Sequence, residues 1–199
     1  MYNKKAHGYV IKHDEKEDTK TILERILDLF LDENVHFLNW VAIQDEKLCV
    51  DCAKMSGKVY DRDELIFPFP PLHLFCRCSI QPITTVEAGK VTNLGIEGAD
   101  WWLKNEKTLP DYYITYEQAL ELGYIPNEGN LDIVAPDRVL TRGQFYNRNG
   151  HLPEKPDRIW YEADINYEGG YRNDERIVYS NDGLLFVTLD HYKTYIEII

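Results

Sequence analysis

Trp160-Tyr161-Glu162-Ala163-Asp164-Ile165, then Arg176-Ile177-Val178-Tyr179-Ser180, then Leu184-Leu185-Phe186-Val187-Thr188: three short runs rich in aromatic and β-branched residues close this chain. Runs of this kind, bounded by turn-forming residues, predict strands. They are expected over residues 158–165, 176–180 and 184–188, with a fourth over residues 192–198. Asn181-Asp182-Gly183 supplies a tight turn, so the second and third strands should pair antiparallel.

Upstream of these runs the apolar spacing changes. Residues 99–106 read as a short helix stopped before Leu109-Pro110. Thr115-Tyr116-Glu117-Gln118 has the pattern of a capping box, and Gly123 suits the end of the helix it opens. Residues 130–134 predict a third, very short helix ahead of Pro136. Short helices followed by an antiparallel sheet define an α+β domain, expected over residues 95–199. In front of it, residues 84–94 read as a linker without periodicity, and residues 1–83 as a small helical, cysteine-rich domain. Within that domain, residues 1–15 read as a polar leader. Residues 18–40 carry Ile22, Leu23, Ile26, Leu27, Leu29, Phe30 and Leu31 at the spacing of an amphipathic helix.

Composition narrows the function. With 44% hydrophobic and 13% aromatic residues the chain can bury a core. No apolar run approaches the ~20 residues of a membrane span, and no apolar stretch follows the N-terminus as in a secretory signal. The formal charge of -12 excludes binding nucleic acid over a broad basic surface. Residues 96–199 hold 19 acids against 10 bases, so any polyanion there must be met by a local cluster of arginines.

That cluster exists. Glu162, Arg172, Arg176 and His191 follow one another across the predicted strands. A carboxylate can take the proton of a ribose 2′-hydroxyl, a histidine can protonate a departing 5′-oxygen, and two guanidiniums can hold the phosphate between them. The bland alternative is a salt bridge from Glu162 to Arg172 or Arg176, with His191 a plain loop residue.

A second group of chemistry-bearing residues lies earlier. Cys49-Val50-Asp51-Cys52 and His73-Leu74-Phe75-Cys76-Arg77-Cys78 offer five metal donors, of which a structural zinc would take four: Cys49, Cys52 and two of His73, Cys76 and Cys78. Reduced thiols and two disulfides are the alternatives.

Two resemblances bear on these readings. Trp40-Val41-Ala42-Ile43-Gln44-Asp45, Cys49-x-x-Cys52, Met55-Ser56-Gly57-Lys58-Val59-Tyr60 and Pro70-Pro71-Leu72-His73-Leu74-Phe75-Cys76-Arg77-Cys78 resemble the end of phage minor head (Mu-type head morphogenesis) domains, over about residues 35–83. In some temperate phages such modules are fused to variable C-terminal toxins, and the resemblance implies phage head or delivery proteins as partners. From about residue 96 to 198 the chain resembles barnase-like bacterial guanyl-preferring ribonucleases. Lys107-Thr108-Leu109-Pro110-Asp111-Tyr112-Tyr113-Ile114-Thr115, Gly129-Asn130-Leu131-Asp132-Ile133-Val134-Ala135-Pro136, Glu162-Ala163-Asp164-Ile165-Asn166-Tyr167 and Asp190-His191-Tyr192 carry that likeness.

This second resemblance implies the microbial ribonuclease fold and a metal-independent endoribonuclease that leaves a 2′,3′-cyclic phosphate. Glu162 would be the general base, His191 the general acid, and Arg172 and Arg176 the phosphate ligands. Phe145-Tyr146-Asn147-Arg148-Asn149-Gly150 would recognise guanine, with Phe145, Asn147, Arg148, Asn149 and Tyr192 as substrate contacts. It also implies a small inhibitor protein, barstar-like or analogous, in the producing cell. Action is expected in the cytoplasm of a target cell, reached inside a virion or by a specialised route. Two positions depart from the family. Asn149 stands where a glutamate reads the guanine edge, and Tyr116 where a lysine neutralises phosphate, with Arg142 a candidate replacement. A weaker guanine preference and a slower enzyme are the expected consequences. A phage structural or binding protein with a decayed nuclease domain is the competing expectation.

Overall fold

A capping box opens the first helix. Thr21 Oγ1 accepts the amide of Glu24 at 3.3 Å, and the Glu24 carboxylate accepts the Thr21 amide at 2.6 Å. The computed structural model describes residues 21–64 and 68–199; the leader over residues 1–15 and the first turn of the helix expected from residue 18 lie outside them. Helix α1 (Ile22–Leu31) ends well short of the expected residue 40. At its end Asp32 turns extended and its carboxylate accepts the Asn34 amide at 2.9 Å, a local bond that competes with the helical ladder. The chain then enters a strand, β1 (Phe37–Val41). Its Leu38 and Trp40 are fully buried, a period of two hidden inside an apparent helical spacing.

β1 is the centre of a three-stranded antiparallel sheet, flanked by β2 (Val59–Asp61) and β3 (Ser79–Pro82). Between β1 and β2 lies α2 (Val50–Met55), whose N-cap is Cys49, its sulfur accepting the Cys52 amide at 3.4 Å. The first unit therefore carries a sheet in addition to its helices.

Residues 84–94, expected as a linker, are built into the second unit. β4 (Thr85–Val86) pairs in parallel with β10 (Ile196–Ile198). The loop after it is pinned to the buried carboxylate of Asp100, which accepts from the Gly89 amide at 2.7 Å, the Val91 amide at 2.9 Å and the Thr92 hydroxyl at 2.7 Å. A two-residue strand has no alternation to read, so composition alone suggested a tether.

Three short helices then match the spacing of the sequence: α3 (Ala99–Asn105), α4 (Tyr116–Glu121) and α5 (Leu131–Val134). Thr115 and Gln118 form the expected capping box. The strands are β5 (Tyr113–Thr115), β6 (Val139–Phe145), β7 (Trp160–Asp164), β8 (Arg176–Ser180) and β9 (Leu185–Thr188), in the order β4-β10-β9-β8-β7-β6-β5. The run from β10 to β6 is antiparallel, and each edge adds one parallel pair. This is the α+β fold expected, with a mixed rather than purely antiparallel sheet.

The two faces of the sheet have different covers. Ala163, Ile177, Leu185, Val187 and Ile198 pack under Ala99 and Leu103 of α3. On the opposite face Trp160, Val178 and Phe186 form one core with Phe37, Val59 and Ile83 of the first unit. The Phe37 and Phe186 rings meet edge to face at 5.1 Å. Three side chains crossing the seam contribute roughly 1.5–3 kcal/mol each when fully buried, as an upper estimate. The units form one body, not two beads on a tether. No helix among the described residues is long and apolar enough to cross a membrane.

Candidate active site

Alternation along β7 puts Trp160, Glu162 and Asp164 on the same face of the sheet, and register sets Asp164 opposite Arg176 and Glu162 opposite Val178. Trp160 is buried against the first unit, so the polar end of this face begins at Glu162. There the Glu162 carboxylate accepts a 2.5 Å hydrogen bond from the phenol of Tyr192. Burial, together with this bond to a carboxylate, pushes the Tyr192 pKa up, so the phenol keeps its proton and serves as donor.

Both arginines pair with Asp164. Arg172 makes two bonds to Asp164, Nε to Oδ2 at 2.6 Å and Nη2 to Oδ1 at 2.5 Å. Arg176 Nε lies 3.0 Å from Asp164 Oδ1, and its Nη1 donates to the Asn173 amide oxygen at 3.1 Å and the Glu175 carbonyl at 2.7 Å. Side chains of Asp164 and Arg176 are 2% and 4% exposed, that of Arg172 20%. Burial alone would lower the Arg172 pKa, but the hydrogen bonds to Asp164 outweigh it and raise it. One carboxylate between two guanidiniums fixes their orientation and leaves one net positive charge, enough to attract a phosphate without an uncompensated pair of cations. Asp164 thus takes the place of Glu162 as the ion-pair partner of both arginines. Asp164 was not singled out from the sequence, because its place opposite Arg176 depends on strand register.

His191 is exposed at a positive φ of 57°, its amide donating to the Asp174 carbonyl at 3.1 Å. Its ring lies 4.9 Å from that of Tyr192. Asp190 shapes this loop, accepting the amides of Lys193 at 3.0 Å and Thr194 at 2.9 Å and the hydroxyls of Thr188 at 3.0 Å and Thr194 at 2.7 Å. Residues 192–195 are consequently loop, and the strand expected from residue 192 begins only at Ile196.

The loop expected to read the base lies beside Tyr192. Phe145 stacks on the Tyr192 ring at 5.2 Å and so covers one of its faces. The Asn147 side chain is turned inward, 5% exposed, donating to the Leu152 carbonyl at 2.9 Å and accepting the Leu152 amide at 3.1 Å, with Glu154 as a further partner. It holds the loop closed and has no side-chain group left for a ligand. Arg148 is exposed with its guanidinium 5.6 Å from the Tyr146 ring. Asn149 is occupied locally: its Oδ1 accepts the His151 amide at 3.2 Å and its Nδ2 lies 3.1 Å from His151 Nδ1.

Where the family likeness loses a lysine, the structure brings a cation. Arg142 sits at the bulge in β6, where Thr141 and Gly143 flank it opposite Ala163 and Glu162, and its guanidinium lies 4.6 Å over the Tyr116 ring. The charges of Arg142 and Arg172 both act on Tyr124.

The cysteines of the first unit converge as well. His73 Nε2 lies 3.0 Å from Cys49 Sγ and 3.2 Å from Cys52 Sγ, and the sulfurs of Cys52 and Cys76 are 3.6 Å apart. Two triads, Cys49/Cys52/His73 and Cys52/Cys76/Cys78, meet at Cys52. All four cysteines are free. The His73 Nδ1 lies 2.8 Å from the Leu74 carbonyl, which favours the tautomer with a free Nε2 lone pair facing the sulfurs. Arg77 and Asp45, joined by two 2.6 Å bonds, tie the second cysteine cluster back to the β1–α2 loop.

The family described as ribonuclease matches residues 101–199, and that described as Phage Mu protein F like protein matches residues 31–81. A protein named ribonuclease from Bacillus pumilus is 45% identical over 120 residues, 60% of this chain and 74% of its own length. A ribonuclease from Bacillus intermedius is 44% identical over the same share. One from Heyndrickxia coagulans is 47% identical over 102 residues, 51% of this chain and 94% of its own. Residues 31–81 are similar to the phage Mu F-like family, and through its C-terminal half this chain belongs to the ribonuclease family.

Proposed function

We propose that the chain is a metal-independent endoribonuclease that cleaves single-stranded RNA by transphosphorylation. Glu162 takes the proton of the 2′-hydroxyl as O2′ bonds to phosphorus; the P–O5′ bond breaks, and protonated His191 gives its proton to O5′. The products are a 2′,3′-cyclic phosphate and a free 5′-hydroxyl. Arg172 and Arg176, aligned by Asp164, hold the phosphate, and Arg142 supplies the charge that the family takes from a lysine. One preorganised charge of this kind contributes on the order of 3 kcal/mol to transition-state binding. The arginine pair clamped on a buried carboxylate, on the same sheet face as Glu162, is the observation that carries the reading.

The loop with Phe145, Asn147, Arg148 and Asn149 would favour guanine through backbone groups. Asn149, neutral and tied to His151, makes that preference weaker than a carboxylate would. The phage-type segment supports a toxin carried by a phage particle into the cytoplasm of a target cell, with head or delivery proteins and an inhibitor protein as partners. Its Cys49, Cys52, His73, Cys76 and Cys78 supply sulfur and nitrogen donors suited to one structural zinc, apart from the chemistry. Mass spectrometry of the cleaved RNA tests the reaction. A cyclic phosphate on the 5′ fragment, absent with Glu162→Ala, supports it, and a 5′-phosphate on the 3′ fragment would refute it.

A further inference from the structure

The phage-type unit meets the nuclease beside its base-reading loop. Immediately after α2, the Val59 amide donates to the His151 carbonyl at 2.6 Å. Gly57, at φ +84°, lies so close that a Cβ there would stand 2.7 Å from the Lys193 carbonyl oxygen and 3.3 Å from the His151 ring. These two contacts touch both loops of the site: His151 belongs to the base loop, and Lys193 comes directly after His191 and Tyr192.

The contacts continue inward. His151 Nδ1 lies 3.3 Å from the Tyr192 carbonyl, and Asn149 Nδ2 reaches the same oxygen at 3.5 Å. Tyr192 then bonds to Glu162 at 2.5 Å. A chain of short contacts thus runs from the backbone of residues 57–59 to the carboxylate. Beneath it, Val59 shares a buried core with Leu152, Trp160 and Tyr195, which fixes the two surfaces against each other.

We propose that residues 57–59 of the phage-type unit are a positioning element of the ribonuclease site, holding the base loop over residues 147–152 and the His191 loop in register. The proposal rests on the ribonuclease reading. In this architecture the N-terminal segment is a working part of the enzyme as well as any carrier it provides. Base selection is the property most exposed to it, because the held loop supplies the base contacts while the phosphate ligands sit on β8 and its preceding loop.

The experiment uses the full chain and the dinucleotides GpC and ApC. Gly57→Ala places a methyl group against the Lys193 carbonyl, and Val59→Pro removes the donor to His151. For either variant, KM for GpC is expected to rise about ten-fold and the GpC/ApC ratio of kcat/KM to fall in parallel, as for a binding group displaced but not lost. A merely structural effect would lower the folded fraction, and with it apparent kcat, at constant KM. Far-UV circular dichroism identifies the folded variant that carries the test, and hydrogen exchange at residues 147–152 is expected to speed up in it. Unchanged KM and unchanged base preference in a folded variant, against an active parent, would overturn this proposal alone. A parent that cleaves neither dinucleotide nor longer RNA would overturn the ribonuclease reading and this one with it.

Discussion

Asp164 holds one negative charge between the guanidiniums of Arg172 and Arg176, so its removal tests how the proposed phosphate ligands are kept in place. Asp164→Asn leaves two largely buried cations without their shared counter-charge. The expected loss of stability is about 3 kcal/mol by urea unfolding, the size typical of a broken buried pair. Activity should fall as well, because Arg172 loses its bidentate anchor. At Arg142 the expectation is a drop in kcat/KM of roughly 10²-fold for Arg142→Gln with folding intact. Adding Tyr116→Lys to that variant should recover part of the loss, since it returns a cation to the position the family uses. No recovery would mean that Arg142 acts otherwise than as the displaced charge. At this scale sequence and structure divide the work clearly. Glu162, Arg172, Arg176 and His191 could be named as candidates by residue type and order, because proton transfer and phosphate binding admit few side chains. Asp164 could not, because which carboxylate meets which arginine depends on strand register, and register is settled by packing on both faces of the sheet.

The loop that presents His191 hangs on the Asp190 carboxylate, which accepts four hydrogen bonds. Burial opposes ionisation of Asp190, but these donors outweigh it and hold its pKa below the ordinary aspartate value. A group depressed in the folded state stabilises above its unfolded pKa, and that contribution fades as pH falls through the folded value. Urea midpoints of the parent and Asp190→Asn should therefore differ at pH 6, and the gap should shrink as pH falls below the unfolded aspartate value of about 3.9. The same carboxylate explains a misread element: it captures the amides of Lys193 and Thr194, so the last strand starts four residues later than alternation suggested. β8, by contrast, runs over Arg176–Ser180 as its apolar run implied, having no side chain that competes for its backbone. The helix expected over residues 18–40 failed for a related reason. Its apolar spacing ran on into β1, and only the Asp32–Asn34 turn marks the boundary.

For the molecule as a whole, the largest departure from the sequence reading is that the two units are joined by packing instead of a tether. The stretch over residues 84–94 carries a strand and the hydrogen bonds to Asp100, and the units share a core. Contacts between distant segments leave no periodic trace, so nothing in composition announced them. Coupling of this kind gives the cysteine cluster a measurable consequence. With the proposed zinc bound, a chelator should release one equivalent per chain and lower the thermal midpoint; a loss of ~3 kcal/mol corresponds to about 6–12 °C for a chain of this size. Elemental analysis beside calorimetry checks it, and substitution of Cys52, where both triads meet, should reproduce the metal-free midpoint. The catalytic mechanism is tested most directly by incubating the full chain with a defined guanine-containing RNA in EDTA, beside His191→Ala. Cleavage after guanine is expected from the parent, with a rate lower by roughly 10²- to 10⁴-fold in the variant. Cleavage that needs a divalent metal, or that survives undiminished in His191→Ala, would contradict the mechanism.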